Sequence, residues 1–208
     1  MQSPRYGSSR RGLALNRHDT SHDNVMLDLH KHPDILKSPD LDMKQVTLCG
    51  VRYGCPASEF PAERVCQVTL APIVASMSRS REGVAIYRDA QGGHLSHSAI
   101  VENALQCGGI LHFIEKVSFR FEAGHVAGFA IYGAALDHFR HIQSYARFVE
   151  EFGAPDVVSP QEAYGELMGY EHYYSRSNKF VGWDEMGLRI SGISFGMLRY
   201  NPQSFKAP

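Results

Sequence analysis

The sequence predicts an α+β fold of two tandem helix-plus-antiparallel-sheet units that pair their sheets and pack together as one domain. The first observation is a repeated motif, in which an aromatic residue, Gly-x-Pro and then Pro-x-Glu recur at identical spacing over 53–63 and 152–162. The second is that hairpin-like stretches follow both copies, at 116–133 and 179–196, with Glu before each turn and Gly within it. Two unrelated hairpins with common turn residues are the alternative.

Composition excludes several classes of function. The chain has 208 residues, 43% of them hydrophobic, and a formal net charge of −1, so no charge excess favours nucleic acid or an anionic membrane. No apolar run approaches the ~18 residues of a membrane span, and Met1 to Leu15 contains no apolar stretch typical of a signal peptide. We therefore expect a cytoplasmic protein. Its four cysteines form no C-x-x-C pair and are predicted to be reduced and mostly buried.

The domain boundary is predicted at residue 43. Residues 1–42 are polar, with one short apolar cluster, and are expected to form a disordered or loosely docked arm. Residues 43–208 are expected to form the domain, with units at about 43–136 and 137–200.

The first unit is predicted from turn and cap residues. Gln45–Tyr53 is expected to be a strand, and Val65–Leu70 a strand or part of a short helix. The remaining expected elements are a strand over 83–87, a helix from Ser96 or Ser98 to Leu105 that Gly108 and Gly109 stop, and a hairpin with strands 117–121 and 126–132.

The second unit is predicted to begin with the strongest helix in the chain. Asp137 is the expected N-cap and Phe152 the last residue. One apolar stripe supports this helix: Phe139, Ile142, Tyr145, Phe148, Val149 and Phe152. Residues 159–162 have the form of a capping box, which predicts a second helix start, and 171–195 read as a three-stranded meander.

Parts of this region resemble a known family. Phe148–Asp156, Tyr173-Tyr174, Trp183–Glu185 and the pair Ile190 and Ile193 resemble small bacterial immunity proteins of polymorphic toxin systems. The tandem arrangement resembles the β-lactamase-inhibitor-protein and outer-membrane-assembly lipoprotein fold, although no export signal or lipidated cysteine is present. The resemblance covers 137–197. It implies binding of a protein partner, a toxin or an enzyme, through a sheet face.

The search for chemistry gives no catalytic constellation. Gly192-Ile-Ser194-Phe-Gly196 matches G-x-S-x-G, but no Asp, Glu or His follows to complete a triad. The pairs His94/His97 and His138/His141 each supply two imidazoles, whereas zinc needs three or four ligands. Phosphate-binding glycine loops are absent from the sequence. We therefore predict no catalytic residues, metal or cofactor.

The aromatic and acidic residues near the C-terminus are the candidate partner-binding site. Its members are Tyr173, Tyr174, Trp183, Asp184, Glu185 and Glu171. Successive strand residues point to opposite faces, so at most one of the two tyrosines is expected in the core, and the other is a candidate interface anchor beside Trp183. An acidic row with Glu166 favours a basic partner. A tyrosine that covers its own sheet, and ordinary turn chemistry at 184–185, are the alternatives.

The sequence therefore predicts a non-catalytic protein-binding module, of the immunity type that binds and occludes a toxin or enzyme. It predicts no nucleic-acid or membrane partner, and a homo-oligomer or scaffold subunit is possible. The alternative is a small enzyme or ligand-binding domain with a pocket between the two units, which two or more histidines or carboxylates in that pocket would support.

Overall fold

The computed structural model describes residues 26–197 and is dominated by strands, with 42% strand and 23% helix. Its strands are β1 (Leu27–Asp28), β2 (Val46–Leu48), β3 (Val51–Arg52), β4 (Val65–Leu70), β5 (Ser76–Arg79), β6 (Ala85–Arg88), β7 (His94–Leu95), β8 (Gly109–Phe113), β9 (Val117–Glu122), β10 (His125–Tyr132), β11 (Val157–Ala163), β12 (Glu166–Tyr174), β13 (Lys179–Asp184) and β14 (Arg189–Phe195). The α-helices are α1 (His97–Cys107) and α2 (Tyr145–Phe152). The 3₁₀ helices are Pro33–Lys37, Met43–Gln45, Ala57–Glu59, Ala62–Arg64 and Gly133–Phe139.

One antiparallel sheet organises the molecule. Its eight strands lie in the order β11-β12-β13-β14-β10-β9-β8-β4, and two three-stranded sheets, β1-β2-β3 and β5-β6-β7, lie outside it. The predicted α+β fold of two tandem helix-plus-sheet units is therefore wrong. The expected pairing of the two sheets is present, since β10 pairs with β14 from Phe129 opposite Phe195 to Tyr132 opposite Gly192. The physical reason for the error is that residues 159–162, read as a helix start, form an edge strand, so strands rather than helix-plus-sheet units build the domain.

The predicted hairpins are confirmed. Strands β9 and β10 pair antiparallel around Ala123 and Gly124, whose φ angles of 50° and 76° are left-handed, as a tight hairpin turn requires. Strands β12, β13 and β14 form the predicted meander. Period-two alternation and the turn residues were sufficient here because each hairpin closes locally.

The repeated motif does not mark equivalent structural corners. Its first copy continues into two 3₁₀ helices, whereas the second runs directly into β11. The predicted capping box at 159–162 is wrong, since Ser159 and Pro160 lie in that strand opposite Glu171 and Tyr170. What the copies share is a left-handed glycine, Gly54 at φ 73° and Gly153 at φ 75°.

The helix predictions are confirmed in part. Helix α1 begins where expected, with the Ser96 hydroxyl accepting from the Ala99 amide at 3.2 Å. The expected 137–152 helix is instead a 3₁₀ helix followed by α2, which Ser144 caps through the Arg147 amide. The expected Gln45–Tyr53 strand is two short strands, because Cys49 and Gly50 turn the chain with positive φ. No helix within 26–197 is long and apolar enough to cross a membrane.

The eight-stranded sheet packs its helices on one face, called the inner face. Its inward side chains include Phe119, Phe121, Phe129, Ile131, His172, Tyr174, Lys179, Val181, Trp183, Ile193 and Phe195. In α2, the Phe148 ring lies 5.7 Å from Trp183 and 4.6 Å from His172. The opposite side is called the outer face and carries the alternating residues, among them His112, Ser118, Ala130, Tyr132, Ser159, Glu171, Tyr173, Phe180, Gly182, Asp184, Gly192 and Ser194.

The segment 26–42 belongs to the core, although the sequence placed it in a loosely docked arm. Leu29 and Leu36 are each 1% exposed, and the buried Lys179 ammonium donates to the carbonyls of Leu36 at 3.0 Å and Ser38 at 2.8 Å. Together with Leu41, these scattered leucines suffice because the sheet supplies the rest of the apolar surface. For residues 1–25, the arm prediction lies outside the described residues.

The prediction that the cysteines are mostly buried is wrong. All four are free, but only Cys55 is buried and Cys49 partly so, while Cys66 and Cys107 are exposed.

Candidate functional site

Two hairpin turns lie side by side at one end of the sheet. Strand β12 starts after the turn at Tyr164 and Gly165, and β13 ends before the turn at 185–188. Because β12 and β13 are antiparallel neighbours, both turns project from the same end, and the Glu185 amide donates to the Met168 carbonyl at 3.0 Å. We call this surface, residues 162–168 and 184–189, the tip.

The tip concentrates exposed apolar side chains. Eleven large hydrophobic residues are exposed in the described chain, and five of them lie here: Tyr164 (106%), Leu167 (37%), Met168 (38%), Met186 (70%) and Leu188 (48%). Single exposed hydrophobic residues are ordinary on protein surfaces, whereas clustered ones with polar neighbours mark interaction sites. The tip is such a cluster.

Two of these side chains are held outward in an unfavourable backbone conformation. Tyr164 has φ 55° and is followed by Gly165 at 81°, and Leu188 has φ 46°. A left-handed conformation costs a bulky L-residue roughly 1–2 kcal/mol, and a two-residue turn of this form favours Asn-Gly. Folding alone therefore does not account for an aromatic and a leucine at these positions.

Acidic side chains surround the apolar cluster. Glu162 and Glu166 flank the first turn, Asp184 and Glu185 begin the second, and Arg189 is the single basic residue of the tip. The Asp184 carboxylate accepts from the Gly187 amide at 2.9 Å and the Arg189 guanidinium at 3.3 Å. Glu185 accepts from the Trp183 indole at 2.9 Å. Four acids against one base give the tip a negative field.

The six residues predicted to bind a partner are divided between different parts of the molecule. Asp184 and Glu185 lie in the tip. Trp183 is 2% exposed and packs under α2, and Tyr174 is 1% exposed with its hydroxyl donating to the Gly153 carbonyl at 3.2 Å. Burial raises the pKa of the Tyr174 hydroxyl. Both are core residues, so the structure does not offer them as interface anchors.

Tyr173 and Glu171 lie on the outer face. Tyr173 is 8% exposed, so the expectation that one of the two tyrosines would be exposed is wrong. Its ring lies 4.6 Å from Phe180, and its hydroxyl donates to Asn178 at 3.4 Å. The alternative interpretation, a tyrosine that covers its own sheet, describes it correctly.

Glu171 borders a shallow groove on the outer face. In the strand register, Glu171 of β12 lies opposite Gly182 of β13, Gly182 opposite Gly192 of β14, and Gly192 opposite Tyr132 of β10. The groove has a volume of about 210 Å³. Burial raises the pKa of the Glu171 carboxyl, and within 26–197 no group donates a hydrogen bond to it.

A polar network adjoins the groove beyond Tyr132. The His112 Nδ1 atom lies 2.7 Å from the Ser118 hydroxyl and 3.1 Å from that of Tyr132, and its Nε2 lies 2.7 Å from the Thr69 hydroxyl. Burial lowers the pKa of the His112 imidazole. No carboxylate joins this network among the described residues, and its serine, Ser118, is 1% exposed. The network therefore lacks both the acid and the accessible nucleophile of a Ser-His-Asp triad.

The other residues considered for chemistry have ordinary surroundings. Ser194 lies within β14, not at a strand-to-helix elbow. His138 pairs with Asp34 at 3.0 Å and His141 with Glu151 at 3.1 Å. Within the described part of the chain, no three His, Cys, Asp or Glu side chains are grouped to hold a metal ion.

Sequence reasoning missed the apolar members of the tip. The dipeptide Tyr164-Gly165 does indicate a turn with an unusual residue in a left-handed position, but Leu167, Met168 and Leu188 become neighbours only through the β12–β13 pairing.

Comparison of the chain with protein-family models, curated proteins and solved structures gives no match.

Proposed function

We propose that this chain is a non-catalytic protein-binding module and that the tip is its contact surface. The observation that supports this most directly is the exposure of Tyr164 and Leu188 in left-handed turn positions, beside three further exposed apolar side chains. Aromatic and apolar side chains presented on short rigid turns lose little conformational entropy on binding, and such residues dominate interface energies.

The acidic surroundings define the chemistry of the partner. Glu162, Glu166, Asp184 and Glu185 attract a surface that carries Lys or Arg around an apolar pocket. An immunity-type protein that binds a toxin, as the resemblance of 137–197 implies, is one form of this proposal. In that form the toxin would be encoded beside this chain and would bind at the tip.

The test uses the full chain as bait with chemical crosslinking and mass spectrometry. The wild type is compared with a tip variant, Tyr164→Asn with Met186→Ser, and with Met77→Ser as a matched control. Met77 is 59% exposed on β5, whereas Met186 is 70% exposed in the tip, so both variants remove an exposed methionine.

The expected result is a partner crosslinked within 162–168 or 184–189 whose recovery falls at least ten-fold with the tip variant and is unchanged with Met77→Ser. With the purified partner, affinity should fall as salt is raised, because the acidic residues steer association. Equal recovery with wild type and tip variant, or crosslinks confined to other surfaces, would overturn the proposal.

A further inference from the structure

The groove on the outer face is open above Gly192, whereas the Ser191 hydroxyl lies where a Cβ of Gly182 would be. Gly182 and Gly192 lie side by side on β13 and β14, between Glu171 on β12 and Tyr132 on β10. Adjacent strands are about 4.8 Å apart, so the groove between the Glu171 and Tyr132 side chains is on the order of 10 Å wide. Its volume of about 210 Å³ would hold roughly seven waters at ~30 Å³ each.

The surroundings of the two glycines differ. The position of a Cβ at Gly182 is filled by the Ser191 hydroxyl, the end of a side chain that can rotate. A Cβ at Gly192 would meet only the Ile131 carbonyl, at an ordinary 3.8 Å, and its φ is not left-handed. Neither backbone conformation nor packing requires glycine at 192. An alanine at 192 would reduce the volume of the groove.

The Glu171 carboxylate at one end of the groove lacks hydrogen-bond donors. Glu171 is half-buried, and no described group donates to it, in contrast to Glu151 or Asp156, which accept two or more hydrogen bonds each. A partly desolvated carboxylate is stabilised by a cation that supplies charge and donors together. The half-buried ring of Tyr132 also lines the groove, and an aromatic wall favours organic cations.

We infer that the outer face carries a binding site for an alkyl cation, an ammonium or guanidinium group, whose alkyl portion lies over Gly192 beside the Ser191 hydroxyl and whose charge meets Glu171. This site is separate from the tip and does not depend on the protein-binding proposal. The same chemistry is found in a free small amine and in a Lys or Arg side chain of a peptide, and the experiment below distinguishes these sources.

The test titrates the full-length, ¹⁵N-labelled protein with butylguanidinium and, in parallel, with butylurea, a neutral isostere. Butylguanidinium is expected to shift the amide signals of residues around Gly182, Gly192 and Tyr132, with saturation in the millimolar range, and butylurea is not. A short arginine-containing peptide forms the second arm. Tighter binding of the peptide assigns the site to a side chain of a partner, and equal affinity assigns it to a free small cation.

Three variants decide the assignment. Glu171→Gln should weaken butylguanidinium binding at least ten-fold, and Gly192→Ala at least five-fold with an unchanged melting temperature. Glu102→Gln, which removes an exposed carboxylate of α1, should leave binding unchanged. Because Gly192→Ala has room for its methyl, it tests the groove even if Glu171→Gln perturbs folding.

Equal binding of butylurea, or full binding to both Glu171→Gln and Gly192→Ala, would overturn the inference. It would also be overturned if light scattering showed a dimer that Glu171→Gln dissociates, because a second copy of the chain would then occupy the groove. The tip variants used above should leave butylguanidinium binding intact, so failure of either proposal is recognised separately.

Discussion

At the scale of single residues, the tip departs most from what folding requires. Tyr164 combines full exposure with φ 55°, whereas Asn178, in the β12–β13 turn, has φ 48° with a residue type that tolerates it. The left-handed position of the β12–β13 turn therefore holds a residue type that tolerates this backbone conformation, whereas that of the β11–β12 turn holds a tyrosine. Such a contrast is expected where a side chain serves a partner more than the fold.

We predict that Tyr164→Asn stabilises the free protein by about 0.5–1 kcal/mol, because Asn adopts the left-handed conformation at lower cost, and that it weakens partner binding. Urea denaturation measures the first effect and titration with the purified partner the second. Met186→Asn is the matched control, since it removes an exposed apolar side chain at a residue without positive φ and should not stabilise. A loss of stability in Tyr164→Asn would contradict this account of the turn.

At the scale of elements, α2 is held to the N-terminal segment by one carboxylate. Glu151 accepts from Lys37 of the first 3₁₀ helix at 2.8 Å and from Arg147 of its own helix at 2.8 Å, and it pairs with His141 at 3.1 Å. Its side chain is 11% exposed. The hydrogen bond from Lys37, and then that from His141, lowers the pKa of the Glu151 carboxyl to about 2.

We predict that Glu151→Gln lowers the free energy of unfolding by about 1–2 kcal/mol at pH 7, the scale of a lost charged hydrogen-bonding partner. Because the folded-state pKa lies below the ordinary 4.5, the contribution is complete above pH 4.5 and is lost as pH falls toward about 2. Urea denaturation of both proteins across this range should show converging stabilities. Glu150→Gln, at a 68% exposed side chain, should change stability little at any pH. A pH-independent difference would contradict the linkage.

At the scale of the whole molecule, Lys179 joins the N-terminal segment to the sheet. It is fully buried on the inner face, its ammonium lies 4.3 Å from the centre of the Tyr174 ring, and carbonyls of 36–38 accept its hydrogen bonds. Desolvation lowers the pKa of Lys179 to about 7. The charged form is therefore less favourable in the folded protein than in water.

We predict that stability rises with pH between about 7 and 10.5, because the unfolded chain keeps a proton on Lys179 that the folded chain has released. Relative to Lys179→Met, which removes the titration, the wild type should gain about 2 kcal/mol from pH 7 to pH 9. Guanidinium denaturation at the two pH values measures it, and Lys44→Met, at an exposed lysine, is the control. Parallel pH profiles for wild type and Lys179→Met would show that this lysine titrates outside the range.

The sequence by itself determined what closes locally. The β9–β10 and β13–β14 hairpins follow from alternation and turn residues, α1 from its Ser96 cap and terminal glycine, and the apolar stripe of 139–152 from its spacing. Two acidic members of the tip, Asp184 and Glu185, were also found from the sequence.

Only the tertiary structure decided how these pieces meet. That the two sheets pair was expected from the repeat. Which strands meet is a choice among distant strands that local pattern does not encode, so the pairing of β10 with β14 came only from the structure. The same pairing places Tyr132 and Gly192 opposite Glu171 and Gly182, and thereby makes the groove. Burial of Trp183 and Tyr174 likewise depends on which face α2 covers, because an alternating strand assigns side chains to two sides and only its packing partner determines which side is the core.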